Sequence, residues 1–242
     1  MKKNFVYAMA IGMFACGLSS CSSDDKNSDE PNQPSVKMVL TEMRGGYVSG
    51  NYDENVYQMK YDSQGRVTDA LIYSSNWEKY VYTDNKITCG SDVYEVSNGK
   101  IINNGSKEYK YDSSNQLIGL GGSSFTWSDG NITVAADHNS WGNEKYTLTY
   151  TDKPNVGNLN MALNFAYSTC FPSEGGYFDP VLAISGYFGT PCKNLCKSIS
   201  INGKLDRTFD YLDYNENGYP KTLKIIDSDG DSQIYTLIWT KL

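Results

Sequence analysis

One unit recurs along this chain, and it restricts the fold more than any other feature. Aromatic residues stand two or four apart (in one copy an aromatic and a valine), an Asp/Asn-Gly-type turn follows, and a basic or polar residue with an aliphatic then opens the next run. Copies begin at Tyr57 and Tyr61 before Asp62 and Gly65, at Tyr80 and Tyr82 before Asp84 and Asn85, and at Tyr94 before Asn98 and Gly99. They continue at Tyr109 and Tyr111 before Asp112 and Asn115, Phe125 and Trp127 before Asp129 and Gly130, and Tyr146 and Tyr150 before Asp152. A last copy is Phe209 and Tyr211 before Asn217 and Gly218. Aromatics two apart share one face of a strand, where cross-strand pairing stabilises a sheet. Asn, Asp and Gly supply the positive φ of a tight reversal. Between residues 65 and 130 the turn centres (65, 85, 99, 115, 130) advance by 20, 14, 16 and 15 residues. Opposing turn signals lie at Ser75-Asn76, Gly90, Asn104-Gly105 and Gly121-Gly122. Each copy is therefore one hairpin. The expected fold is all-β, an antiparallel meander of hairpins forming a curved sheet or partial barrel, whose open edges would suit strand addition by a partner.

The rhythm breaks over about 154–201. Leu159, Met161, Leu163 and Phe165 alternate like a half-buried strand. Asp179 and Pro180 then offer an N-cap and a first helical position, Val181 to Phe188 supply apolar residues, and Gly189 closes the segment. One short helix is expected near 179–189, capping or plugging the sheet.

Before the repeats lies a different kind of sequence. Lys2 and Lys3 precede the apolar stretch Phe5 to Phe14, and Leu18-Ser19-Ser20-Cys21 has the form of a bacterial lipobox. Residues 1–20 are expected to be a lipoprotein signal peptide and Cys21 the lipidated residue, whose acyl chains together give stable membrane anchoring. Residues 21–35 hold no apolar side chain beyond Cys21 and read as a flexible tether, leaving 36–242 as a single all-β domain. Loss of residues 1–20 removes two lysines and no acid, so the mature charge is 19 − 28 = −9. With no Lys/Arg stripe, nucleic acid is excluded as a partner.

The lipobox, the acidic tether, the Tyr-Asp hairpins, Lys193-Asn194-Leu195 and the late turn Asn217-Gly218-Tyr219-Pro220 together resemble a family of Bacteroidota lipoproteins, domains of unknown function with a porin-like fold. The hairpin units also resemble the tyrosine-aspartate repeats of Rhs-type surface proteins. The resemblance spans roughly 36–242 and departs at Cys196, where the pattern leads one to expect proline. It implies a porin-like fold and outer-membrane residence, and carries no activity. Asp24 and Asp25 resemble the signal that sends such lipoproteins to the outer face of the outer membrane. A channel does not follow from the likeness. Membrane strands need about 9–11 residues with an apolar outward face, whereas most runs here are four to eight long with Lys, Asp, Glu or Ser on alternate positions.

Few residues carry candidate chemistry. Cys89, Cys170, Cys192 and Cys196 permit one or two disulfides in an oxidising compartment, and Cys170 with Cys192 or Cys196 would staple the irregular insertion. A four-thiolate zinc site has only the Cys192-to-Cys196 spacing in its support. Asp227, Asp229 and Asp231 suggest a calcium loop, but Gly230 falls one step early and Ile238 stands where a bidentate Glu is needed, so an acidic hairpin turn is the alternative. No other cofactor is indicated. His138 is the single histidine and has no nucleophile motif beside it. Trp77 and Trp141 in turn regions are candidate platforms for sugar rings or a protein surface. The sequence thus leads to a surface-exposed lipoprotein, a non-catalytic module for glycan capture or for docking to an outer-membrane protein. A glycan-degrading hydrolase is the alternative from another class.

Overall fold

The computed structural model describes residues 36–48, 54–72, 76–139, 142–166 and 178–242, without the side chains of 138, 139, 142 and 164–166. The expected signal peptide, Cys21 and the tether lie outside the described residues. Among the described residues are sixteen strands: β1 (Met38–Tyr47), β2 (Asn55–Tyr61), β3 (Val67–Leu71), β4 (Glu78–Tyr82), β5 (Lys86–Cys89), β6 (Asp92–Ser97), β7 (Lys100–Asn103) and β8 (Tyr109–Tyr111). The second half comprises β9 (Leu117–Leu120), β10 (Ser123–Ser128), β11 (Asn131–Asn139), β12 (Gly142–Pro154), β13 (Asn194–Ile201), β14 (Lys204–Tyr214), β15 (Pro220–Asp227) and β16 (Ser232–Lys241). Consecutive strands pair antiparallel, as the hairpin repeat predicts. The first strand also pairs with the last over nine positions, from Met38↔Lys241 to Tyr47↔Gln233. The sheet order therefore runs from β7 down to β1, across to β16 and on to β8, and its two ends meet at one bridge, Asn103↔Glu108. The result is a nearly closed barrel-like sheet rather than a meander with long open edges. Five strands, β1, β11, β12, β14 and β16, run 9–13 residues and exceed the expected length.

A meander of this kind has two rims. The entry rim carries the start of β1, the end of β16 and every turn from an even to an odd strand. The far rim carries the remaining turns. Inward positions are apolar and buried: Leu40 and Met43 on β1, Tyr80 on β4, Ile101 on β7, Ile199 on β13, Leu223 on β15 and Tyr235 on β16. The alternate positions, among them Lys60, Glu95, Lys110, Thr126, Lys145, Asp210 and Thr236, are exposed. This is the inverse of a membrane barrel, which turns an apolar band outward. Among the described residues no helix is long and apolar enough to cross a membrane.

The second aromatic of each repeat has a specific task. Six odd strands, β1, β3, β7, β9, β11 and β13, carry a β-bulge near their entry-rim end, an extra residue that locally breaks the ladder. The register shifts between Lys60 and Tyr61 opposite Val67, between Tyr111 and Lys110 opposite Leu117, and between Thr126 and Trp127 opposite Ile132. The next even strand sends an aromatic polar tip back to the carbonyl at the bulge. Tyr82 OH donates to Val67 O at 2.6 Å, Trp127 Nε1 to Leu117 O at 2.8 Å, and Tyr150 OH to Ile132 O at 2.6 Å. Tyr61, Tyr111 and Tyr211 make the same bond to the bulge carbonyls of Leu40, Ile101 and Cys196, and Trp239 bonds the carbonyl of Pro220, where the ladder is unbroken. The motif thus joins each hairpin to the strand before it, because a half-buried carbonyl without a donor is costly. Replacing Tyr82 by Phe should leave the Val67 carbonyl without this donor and lower stability by about 1–2 kcal/mol. Chemical denaturation reads this as a lower midpoint at unchanged slope; an unchanged midpoint would deny the bond any part in joining hairpins.

The insertion is shorter than expected, since β13 resumes at Asn194. Its first part corrects the sequence reading. Leu159–Ala166 is a helix, α1, not a strand. Leu159, Asn160, Met161, Ala162 and Leu163 are all buried. Burial is unbroken over 159–163, the described side chains, and a run this short with alternating apolar residues does not by itself discriminate strand from helix. Asn155 Oδ1 accepts from Asn160 N at 3.1 Å, and Leu, Met and Ala, none of them β-branched, suit a helix. The second part meets expectation: α2 (Pro180–Ile184) has Asp179 as N-cap and Pro180 in its first turn. Phe178, Leu182, Ala183 and Phe188 are buried in the same core as the inward strand residues, so the segment plugs the barrel.

Candidate functional site

Trp77 lies on the far rim, just before β4, with 41% of its surface exposed. Lys60 Nζ stands 4.0 Å from its ring centroid. The ammonium holds one ring face by a cation–π contact and so fixes the orientation of an otherwise mobile side chain. Along the outer wall Lys60 pairs with Asp69, which pairs with Lys79, so alternating charges support the platform. Trp141, the second candidate, lies outside the described residues. Its connection, β11 to β12, belongs to the same rim but is eight strands (11 − 3) from the Trp77 connection. The two connections thus share a rim without being neighbours along it.

Asp227, Asp229 and Asp231 form the far-rim turn between β15 and β16. Asp227 Oδ1 accepts from the amides of Asp229 and Asp231, both at 3.0 Å. Asp62 and Asp112 hold their turns by the same pair of bonds, as does the neutral Asn215 with Asn217 and Tyr219. Because an amide oxygen performs the task as well as a carboxylate, the geometry belongs to the turn and needs no cation. Among the described residues no group of three or more His, Cys, Asp or Glu is arranged to hold a metal ion.

The expected staple is not formed by Cys192, which holds a free thiol: its sulfur accepts from Ile132 N at 3.5 Å and lies 3.5 Å from Tyr150 OH. Burial raises the Cys192 thiol above its ordinary range. Cys196 Sγ is directed to Ser198 O at 3.7 Å, so the two sulfurs face different partners. Cys89 is also a free thiol, pushed up to about 11 by burial, and Cys170 lies outside the described residues. Of His138 only the backbone position, near the end of β11, is described.

Two acids bond inside the barrel, Asp137 and Asp179, the second of which the sequence reading took only as a helix cap. Asp137 sits on β11, which extends further than the turn signals suggested, and accepts from Ser123 Oγ at 3.0 Å. Asp179 does more than cap α2. Its Oδ1 takes the amides of Val181 and Leu182 at 2.8 and 3.2 Å, while Oδ2 takes the hydroxyls of Tyr80 and Tyr94 at 3.1 and 3.4 Å. Burial pushes this carboxyl up to about 6, against the partial opposition of those four donors. The cap signal was legible; the two tyrosines, 99 and 85 residues away, were not.

Fold and sites together define a class: a filled, antiparallel, sixteen-strand barrel-like sheet with polar residues and scattered aliphatics on its outer wall and a plug from one long connection. Two crystal structures share the architecture. A porin-like protein from Bacteroides uniformis matches with a TM-score of 0.60 at 11% identity, over 86% of this chain and 98% of that one. A porin-like protein from Bacteroides vulgatus matches with a TM-score of 0.53 at 10% identity, over 85% of this chain and 100% of that one. At this identity the likeness is one of fold. No family model matches the chain, and no curated protein matches it.

Proposed function

We propose that the chain is an outer-membrane lipoprotein, held through Cys21 and displayed on the cell surface, that captures glycan on the far rim without catalysing a reaction. The observation that carries this reading is the division of labour between the rims. The chain enters β1 and leaves β16 at the entry rim, where Leu242 N donates to Lys37 O at 3.3 Å. An anchor attached there leaves Trp77, exposed on the opposite rim, free to meet a ligand. A ring fixed by Lys60 loses little entropy on stacking against a sugar. Binding is favoured over hydrolysis because Asp62, Asp112 and Asp227 each commit Oδ1 to two backbone amides.

A glycan array probed with the purified protein tests this reading, followed by the Trp77→Ala variant. Binding should weaken by about tenfold or more, as for an aromatic anchor, while the melting temperature stays within about 2 °C because the side chain is outside the core. A folded protein that binds no glycan would overturn glycan capture. One observation favours docking as the second reading: Val81, Thr88 and Val93 form a cross-strand row on the outer wall, with both valines exposed. Loss of an outer-membrane complex on deletion of the protein would select that reading.

A further inference from the structure

The barrel is weakest where the ends of its sheet order meet. Strand β7 has four residues and β8 three, and a single bridge joins them. The plug fills the remainder. Ile101 N on β7 donates to Tyr187 O at 2.9 Å, and Thr190 N donates to Asn115 O, in the turn after β8, at 2.8 Å. Gly189 fits so closely that a Cβ there would lie 2.2 Å from Asn115 O. Phe188 packs on Tyr109 with centroids 5.4 Å apart, and Tyr187 stacks on Tyr82 at 5.7 Å. The segment is thus a wedge between β7 and β8, and Asp179 is its tie to the wall on the β7 side of the seam, at β4 and β6.

We propose that Asp179 is a pH-sensitive latch: with its carboxyl neutral the wedge Phe178–Thr190 is held in the β7–β8 seam, and ionisation of that carboxyl loosens it. The sign follows from where the charge resides. In the docked wedge burial holds the carboxyl at about 6; released into water it returns to its ordinary 3.8. The docked form therefore binds the proton better. Docking is strongest below about pH 4, weakens as pH rises towards 6, and changes little above that. The other titratable groups that sense the Asp179 charge are Tyr80 and Tyr82 on β4, Cys89 on β5, Tyr94 on β6 and Tyr109 on β8. Burial raises all four tyrosines above their ordinary value and Cys89 to about 11, so none changes charge between pH 5 and 8. Arg66, 4.7 Å from the Tyr82 ring, keeps its charge throughout.

Hydrogen exchange on the whole protein tests the latch at the amides of Ala183, Ser185, Tyr187, Thr190 and Ile101, each bonded within the wedge or to it. After correction for the intrinsic pH dependence of exchange, the opening constant of these amides should be about tenfold larger at pH 8 than at pH 5, with no such change for Met43 and Leu237 in the β1–β16 pair. Asp179→Asn, which keeps a cap oxygen for Val181 and Leu182 but carries no charge, should abolish the difference. A second measurement is independent of whether that variant folds: the carboxyl carbon shift of Asp179 in the unsubstituted protein, titrating with a midpoint near 6. A midpoint near 4, equal protection at both pH values, or pH dependence retained in Asp179→Asn would each overturn the latch.

Discussion

Gly45→Val should severely destabilise the barrel. Gly45 pairs with Tyr235 where the first strand meets the last, with φ of +153°. A Cβ built there would lie 1.9 Å from Ile234 O and 2.8 Å from the Tyr235 Cα, both parts of the backbone that cannot rotate away. Accommodation requires prising β1 from β16, the pairing that converts a meander into a barrel. The expected cost exceeds about 4–5 kcal/mol, a large part of the roughly 5–15 kcal/mol that holds a typical domain. Thermal melting should show a midpoint lower by on the order of 10–20 °C, or no cooperative transition. A variant melting within about 2 °C of the parent would contradict the β1–β16 register.

Tyr235→Ala should have the next largest effect. Tyr235 has no exposed surface, its ring centroid stands 6.4 Å from that of Tyr57, and its hydroxyl donates to Gln233 Oε1 at 2.6 Å. Truncation removes a whole ring from the centre of the closing pair and leaves a cavity, a change that costs about 3–5 kcal/mol in comparable cores. Tyr235→Phe keeps the ring and loses only the hydroxyl bond, for about 1 kcal/mol. Urea denaturation of the two variants separates packing from hydrogen bonding. Equal losses in both would place the contribution in the hydroxyl rather than the ring.

The individual hairpins were legible because each is local: Tyr80 and Tyr82 announce a strand, and Asn98 and Gly99, both at positive φ, announce a reversal within a few residues. The short helix after Asp179 was legible for the same reason, since cap and proline act on the next turn of backbone. Helix α1 was misread because a short apolar run fits either period, and the burial of 159–163 in the barrel interior is a tertiary fact. The Asp227 turn was legible as a reversal from Gly230 and its flanking strands, whereas the two amide bonds to Asp227 and their likeness to the Asn215 turn needed the folded backbone. Far-rim membership of Trp77 follows from counting turns, but its cation–π partner Lys60 lies on β2, and the bulge of the intervening β3 sets that register.

What the sequence by itself determined, then, is the repeating unit: strand, turn, bulge and return, each encoded within about 15–20 residues by propensity and alternation. Only the tertiary structure decided that Met38 pairs with Lys241, that the aromatic tips of one hairpin bond the bulge of the strand before, and that Asp179 joins Tyr80 and Tyr94 inside the barrel. Such contacts span up to the whole chain, and their selection depends on which faces must be buried together, a condition that periodicity leaves open and closure of the sheet satisfies.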